Sequence, residues 1–295
     1  MMDIVITYVD GLDPQWRRTY SEATGKPVNE KRYRDWGTLR YLMRGIEKHL
    51  PDVGKVFLVV SSESQVPGWV NRETVRVVLH SDIIPERFLP VFNSTAIEMF
   101  LHRIEGLSEQ FLYFNDDFFP MKDCSMEDFF PDGKPLFRPA RHLFATNLFK
   151  RQVRNSAILA ARAAGRRRPL LYVRPQHTCA PMLRSRSEEA YAICREEIEA
   201  SVTMLRDARN YNQYLFTDYC FYKGLCHIGK ISNKHFSVAA ASVDSICSFI
   251  ENPDRKLVCI NDVNIPENRY EELRSRILES FERHFPEKSA YELLQ

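Results

Sequence analysis

The sequence contains no C-x-x-C pair. Its seven cysteines, Cys124, Cys179, Cys194, Cys220, Cys226, Cys247 and Cys259, stand singly. An odd, scattered set supports neither a disulfide framework nor a zinc site. It reads as small buried hydrophobes in a reducing, cytoplasmic setting. No apolar run approaches the roughly 20 residues that a membrane-spanning helix needs. No basic region precedes Met2-Asp3-Ile4-Val5-Ile6-Thr7, so the N-terminus reads as a strand that begins at once, not as a signal peptide. Neither G-x-G-x-x-G nor a Walker-type glycine loop occurs, so phosphate binding cannot rest mainly on backbone amides. Acidic residues are missing from one long segment. Between Gly133 and Ser187 there is no Asp or Glu, yet the segment holds thirteen of the 41 Lys and Arg, including Arg166-Arg167-Arg168. Such a block suits phosphates or anionic lipid, or is a solvated face without a specific partner. No aromatic-interleaved basic motif points to nucleic acid.

What is present is an ordinary globular composition, 44% hydrophobic and 27% charged over 295 residues, enough for one large α/β domain or two small ones. Apolar strands are expected at Asp3–Val9, Lys55–Val60, Val75–Leu79, Phe111–Phe114 and Leu257–Ile260. Helices are expected at Asp35–Leu50, from Phe92-Asn93-Ser94 to Gly106, at Thr146–Ala164, Ser187–Leu205 and Tyr211–Lys223, and from Pro266 to His284. Strand–helix–strand alternation argues for a mostly parallel sheet covered by helices. Asp13 is placed to cap a helix with Pro14 at its first position. Arg40 and Arg44, four apart on one helix face, read as a solvated pair. The chain reads as a single catalytic domain over 1–295, with 139–225 a helical, basic insertion or lid within it.

Phe111-Leu112-Tyr113-Phe114-Asn115-Asp116-Asp117 is the stretch with the clearest chemistry. An apolar strand runs straight into two carboxylates. Ligands of open α/β sheets bind beyond the carboxyl ends of strands, and paired Asp groups offer hard oxygen ligands to a divalent cation. Two further strands end in acids, at Asp10 and at Asn261-Asp262. If all three share one parallel sheet, their carboxylates line one edge. Each Asp taken alone is equally a turn residue or helix cap. His177 and the arginines of the middle region could add a base and positive charge. Acids, a His and an Arg suit attack on a phosphate or on a sugar anomeric carbon.

Longer blocks carry a resemblance. The chain resembles the Stealth family of sugar-phosphate transferases through Asp3-Ile4-Val5-Ile6-Thr7-Tyr8-Val9-Asp10-Gly11-Leu12-Asp13-Pro14. The likeness continues through Asp35-Trp36-Gly37-Thr38-Leu39-Arg40-Tyr41, Gln65-Val66-Pro67-Gly68-Trp69, Leu89-Pro90-Val91-Phe92-Asn93-Ser94, Ile97-Glu98, Leu101-His102-Arg103-Ile104 and Tyr113-Phe114-Asn115-Asp116-Asp117. His177 with Pro181, Leu205-Arg206, and Cys259-Ile260-Asn261-Asp262 followed by Phe285-Pro286 extend it. Tyr8 stands where the family has Trp, and Thr203-Met204 replace its usual Ser-His.

The resemblance implies a Rossmann-like, glycosyltransferase-A-like fold. It implies transfer of a hexose-1-phosphate, such as GlcNAc-1-phosphate, from a nucleotide-sugar to a sugar hydroxyl in capsular or cell-surface polysaccharide synthesis. Asp116, Asp117, His177, Arg206 and Asp262 are carried over as catalytic candidates, with Asp116 and Asp117 holding a divalent cation, Mg²⁺ by expectation. Arg209 is an alternative to Arg206. Tyr8, Asp10, Gly11, Arg40, Asn93, Ser94, Arg103 and Asn261 are expected to shape the substrate site. The expected partners are a UDP-linked donor, a glycan or lipid-linked glycan acceptor, and peripheral contact with an anionic inner-membrane face. The competing readings are a metal-dependent glycosyltransferase that moves the sugar without phosphate, and a non-catalytic module for anionic glycans.

Overall fold

The computed structural model describes residues 1–261 and 265–293; the expected catalytic Asp262 lies outside the described residues. Two compact units are built from interleaved segments. One comprises Met1–Val5, Val78–Tyr113 and Met126–Ile231; the other comprises Ile6–Val77, Phe114–Ser125 and Ser232–Gln295.

β1 (Met2–Thr7) is a nearly fully buried apolar run. Asp13 caps α1 (Pro14–Thr24), accepting the Gln15 N–H at 2.9 Å, and Pro14 starts the helix where no N–H is required. α2 (Glu30–Tyr33) packs against the loop after β1. A Cβ on Gly11 would lie 1.9 Å from the Tyr33 carbonyl oxygen, so only glycine fits there. α3 (Leu39–His49) buries Leu39, Leu42, Met43 and Ile46. It starts four residues later than expected. The Asp35 carboxylate accepts the Gly37 N–H at 2.9 Å, and Gly37 takes a φ of +73°, which no right-handed helix accommodates. Arg40 and Arg44 are not a solvated pair. Arg44 forks onto Glu292 at 2.7 and 3.0 Å and is only 5% exposed, while the Arg40 guanidinium lies over the Trp69 ring at 5.3 Å.

β2 (Val53–Val60) and β3 (Val75–Leu79) follow, then the short α4 (His80–Ile83). α5 (Ser94–Glu98) is much shorter than expected, because the chain tightens to a 3₁₀ turn at Leu101–Arg103. Ile97, Leu101 and Ile104 are nonetheless buried. β4 (Gln110–Asn115) is the central apolar strand, and a turn at Asp116-Asp117 leads into β5 (Phe118–Pro120).

The middle of the chain contains β6 (Leu136–Phe137), β7 (Ala140–His142), α6 (Leu148–Ala163), β8 (Tyr172–Arg174) and β9 (Ala180–Leu183). Val153, Ala157, Ala160 and Ala161 of α6 are buried, and Val153 and Ala157 share a core cluster with Phe137, Tyr172, Val173 and Tyr214. The helix expected over Ser187–Leu205 is two helices, α7 (Arg184–Ile193) and α8 (Arg195–Ser201), divided at Cys194, whose backbone turns out of the helical region. α9 (Tyr214–Lys223) ends on Gly224 at φ +71°. The chain closes with β10 (His227–Ile228), β11 (Asn233–Ser237), α10 (Val243–Glu251), β12 (Leu257–Asn261) and α11 (Glu267–His284).

The fold is mixed α/β with a mostly parallel principal sheet flanked by helices, in the order β3-β2-β1-β4-β9. The order runs outward from β1 to β3 and then resumes with β4 on the other side of β1. In open α/β sheets a reversal of this kind is where ligands bind, beyond the carboxyl ends of the strands. β9 is the antiparallel exception at the edge. Its Pro181 sits opposite Leu112, and an edge position tolerates the missing N–H.

One expectation is corrected here. The three acid-ending strands do not share a sheet. β12 lies in a separate three-stranded sheet, β11-β12-β5, parallel to β11 and antiparallel to β5. The Asp116-Asp117 turn carries the chain from β4 in the first sheet to β5 in the second, so the end of β12 still reaches Asp117. The Ile260 N–H donates to the Asp117 carbonyl at 2.9 Å.

Candidate active site

Within the unit that contains Ile6–Val77, carboxylates gather past the strand ends. The Tyr8 phenol hydrogen-bonds Asp35. Burial, then the negative charges of Asp35, Asp10 and Asp116, push its ionisation well above the ordinary phenol range. Tyr8 therefore stays protonated and donates. Burial raises Asp35 in turn, opposed by the Gly37 N–H and the Tyr8 hydroxyl, and the Asp10 charge adds to the rise. The Asp10 loop is held by Gln65: the Asp10 N–H donates to Gln65 Oε1 at 2.8 Å, and Gln65 Nε2 donates to the Asp10 carbonyl at 3.0 Å and to Asp13 Oδ2 at 2.8 Å. Gln65 is 1% exposed, so this brace is rigid.

Asp117 receives two donors from β12. Asn261 Nδ2 lies 3.4 Å and Cys259 Sγ 3.5 Å from Asp117 Oδ2. Burial, reinforced by the Asp117 charge, pushes the Cys259 thiol far up, so the thiol is neutral and donates to Asp117. The carboxylate and amide oxygens beside it are of the kind that suits a hard divalent cation.

The unit that contains Val78–Tyr113 and Met126–Ile231 holds a cationic group on buried scaffolding. Arg206 donates to Ser94 Oγ. Ser94 begins α5, and Asn93 caps it. Asn93 Oδ1 accepts from the Thr95 N–H and hydroxyl at 3.2 and 2.7 Å, while its Nδ2 donates to Asn210 Oδ1 at 3.0 Å and the Thr203 carbonyl at 3.2 Å. Fully buried, with both amide atoms engaged, Asn93 presents Ser94. Glu98, one turn further along α5, accepts the Gln213 N–H at 2.8 Å. Burial pushes its carboxyl up to about 7, partly offset by that N–H, the nearby Arg206 charge and the Tyr113 hydroxyl. His177 Nδ1 lies 3.4 Å from the Tyr214 hydroxyl. Arg209 is committed elsewhere: its Nε donates to Asp207 Oδ1 at 3.0 Å on the exposed surface. Arg103 is exposed at the end of its 3₁₀ turn, with its charge acting on Tyr191.

The model for Stealth protein CR2, conserved region 2, matches residues 32–136. The receptor polysaccharide phosphotransferase WefC of Streptococcus oralis is 31% identical to this chain over 335 aligned positions, covering 99% of each chain. The chain belongs to the Stealth family. The matched region holds Asp35, Ser94, Glu98, Asp116 and Asp117; His177, Arg206 and Asn261 lie beyond it. The capsular polysaccharide phosphotransferase WcwK of Streptococcus pneumoniae is 29% identical, again over 99% of each chain. The capsular polysaccharide phosphotransferase CpsJ of Streptococcus thermophilus is 42% identical over 145 residues, which span 45% of this chain and 59% of that one. These Stealth relatives are named as transferases. Among solved structures, the galactosyltransferase LgtC in complex with donor and acceptor sugar analogues aligns at TM-score 0.39 and 13% identity, covering 93% and 95% of the two chains. Among the described residues, no helix of this Stealth chain is long and apolar enough to cross a membrane.

Three site residues escape a reading of the sequence alone. Glu98 is visible there only as part of a motif. Its i, i+4 spacing from Ser94 on one helix face is the signal that pairs them. Asp35 reads as the start of a helix, and Cys259 as a core thiol.

Proposed function

We propose that this chain transfers a hexose-1-phosphate from a nucleotide-sugar, UDP-linked in the simplest case, to a sugar hydroxyl in polysaccharide synthesis. The observation that carries the reading is full-length kinship with polysaccharide phosphotransferases, joined to an oxygen-rich acid cluster and a braced Arg206–Ser94 pair. In the reaction the acceptor hydroxyl oxygen attacks the sugar-bearing phosphorus. The bond from that phosphorus to the nucleoside monophosphate breaks, the hydroxyl proton passes to a base, and the nucleoside monophosphate leaves with the electron pair.

Asp116 and Asp117 would hold a divalent cation, with Asp10 close enough to add charge. A bound cation would neutralise the diphosphate oxygens and the leaving group. Mg²⁺ fits hard oxygen donors of this kind. The fork of donors on Arg206 would grip a phosphate, with Ser94 fixing its orientation. His177 would accept the acceptor proton, its ring steadied by Tyr214. Asn261 would orient Asp117, Tyr8 would hold Asp35, and Gly11 would let the Asp10 loop approach Tyr33. Arg40 and Arg103 would contribute at the margins of the donor site. The segment 139–225, which carries His177 and Arg206, would act as the catalytic insertion. Phosphorus NMR of the product tests this reading: a new phosphodiester resonance is expected, and a product without phosphorus contradicts it.

A further inference from the structure

The acid-free segment ends in an exposed apolar tip surrounded by cations. β7 and β8 pair antiparallel, with His142 opposite Tyr172. Leu143, which follows β7, and Leu171, which precedes β8, therefore leave the ladder at the same end. Leu143, Phe144, Leu170 and Leu171 are 47%, 73%, 86% and 42% exposed. The tip is held in place: the Tyr172 hydroxyl donates to the Phe144 carbonyl at 3.0 Å, and the Tyr172 ring packs in the cluster with Val153 and Ala157.

Cations lie near this hairpin. The charges of Lys150 and Arg174 act on His142, and those of Arg154 and Arg174 act on Tyr172, with Arg174 itself opposite Ala140 at the other end of the ladder. Arg166, Arg167 and Arg168 are exposed and lie just before Leu170; Arg166 Nε donates to the Tyr222 carbonyl at 3.1 Å. Among the described residues between 138 and 174, Arg162 is the one cation in an ion pair, with Glu197.

We propose that this tip docks on an anionic lipid bilayer. Leu143, Phe144, Leu170 and Leu171 enter the boundary between headgroups and acyl chains, while Lys150, Arg154, Arg167 and Arg168 face the lipid phosphates. Interfacial binding draws on both apolar insertion and attraction to anionic headgroups, and this surface supplies both. A soluble anionic glycan would use the arginines but leaves three leucines and a phenylalanine in water. A second copy of the same surface would meet its own positive charge.

The test is flotation of the full chain with vesicles of phosphatidylcholine alone or with about 30% phosphatidylglycerol, an anionic surface of the kind that attracts basic segments. Phe144→Trp serves as a depth probe, read as the emission difference from wild type. Expected results are tighter binding to the anionic vesicles, weakened by salt, and a blue shift of the new tryptophan on those vesicles. Phe144→Ser combined with Leu170→Ser, and separately Arg167→Glu combined with Arg168→Glu, should each lower affinity about tenfold or more with an unchanged circular dichroism spectrum. Equal or absent binding to the two vesicle types overturns the proposal. So does wild-type affinity in the Phe144/Leu170 variant, or binding to dextran sulfate as tight as to vesicles. The readout does not depend on catalysis, so it stands or falls separately from the transferase reading.

Discussion

Asn261 Nδ2 faces Asp117 Oδ2 at 3.4 Å, joining the last residue of β12 to the turn that leaves β4. Two sheets thus fix one carboxylate. A carboxylate held this way is oriented before substrate arrives, as the proposed cation role of Asp117 requires, and preorganised charge is the largest single contribution in many active sites.

Asp117→Asn should therefore lower kcat by about a hundredfold or more and raise the concentration of divalent cation needed for half-maximal rate. The Asn261 and Cys259 donors still find the amide oxygen of the substituted side chain, so the thermal midpoint should move little. Steady-state kinetics against Mg²⁺ concentration, with a melting curve, checks both. Cys259→Ala should cost far less, because the thiol only donates to Asp117.

Arg206 and Arg209 separate by their partners. Arg206 is braced on Ser94 next to Glu98, whereas Arg209 folds onto Asp207 at the surface. Arg206→Lys keeps a charge but loses the planar fork of donors. It should reduce kcat/KM about tenfold or more, and Arg206→Ala further still, whereas Arg209→Ala should stay within about threefold. Parallel kinetics on the three variants decides the assignment.

Glu98 makes stability depend on pH with a defined sign. Burial raises its carboxyl from 4.5 to about 7 in the folded protein. Between those values the folded state holds a proton that the unfolded chain has released. Stability should therefore fall as pH rises through this window and level off above it. Glu98→Gln should remove that slope. Urea midpoints from pH 4 to 9 for the two proteins measure it; parallel curves would contradict the assignment.

The parts of the fold legible in the sequence were those set by local rules. The Asp13–Pro14 cap, the apolar run of β4 and the terminal α11 follow from capping, burial and helical period, and they lie where those rules put them. The misread elements were decided by local turns that leave no pattern in the sequence, or by distant partners. Gly37 turns because Asp35 caps it from the side. Cys194 breaks a helix whose flanking residues would all tolerate one. Arg44 is buried because Glu292, 248 positions away, meets it. For the candidate site, the acids at strand ends were visible as a pattern. The route by which β12 reaches Asp117, through a second sheet, was not, because strand pairing across long separations leaves no periodic trace in the chain. Glu98 was hidden for another reason: a buried acid looks like any surface glutamate until its surroundings are known.

The nucleotide released in an acceptor-dependent reaction tests the central claim most directly. Purified protein would be incubated with a panel of nucleotide-sugars, a glycan acceptor and Mg²⁺, and the products separated by chromatography. The account predicts a nucleoside monophosphate, formed only with acceptor and lost in Asp117→Asn. Release of the diphosphate would mean that the sugar moves without its phosphate, and would contradict it.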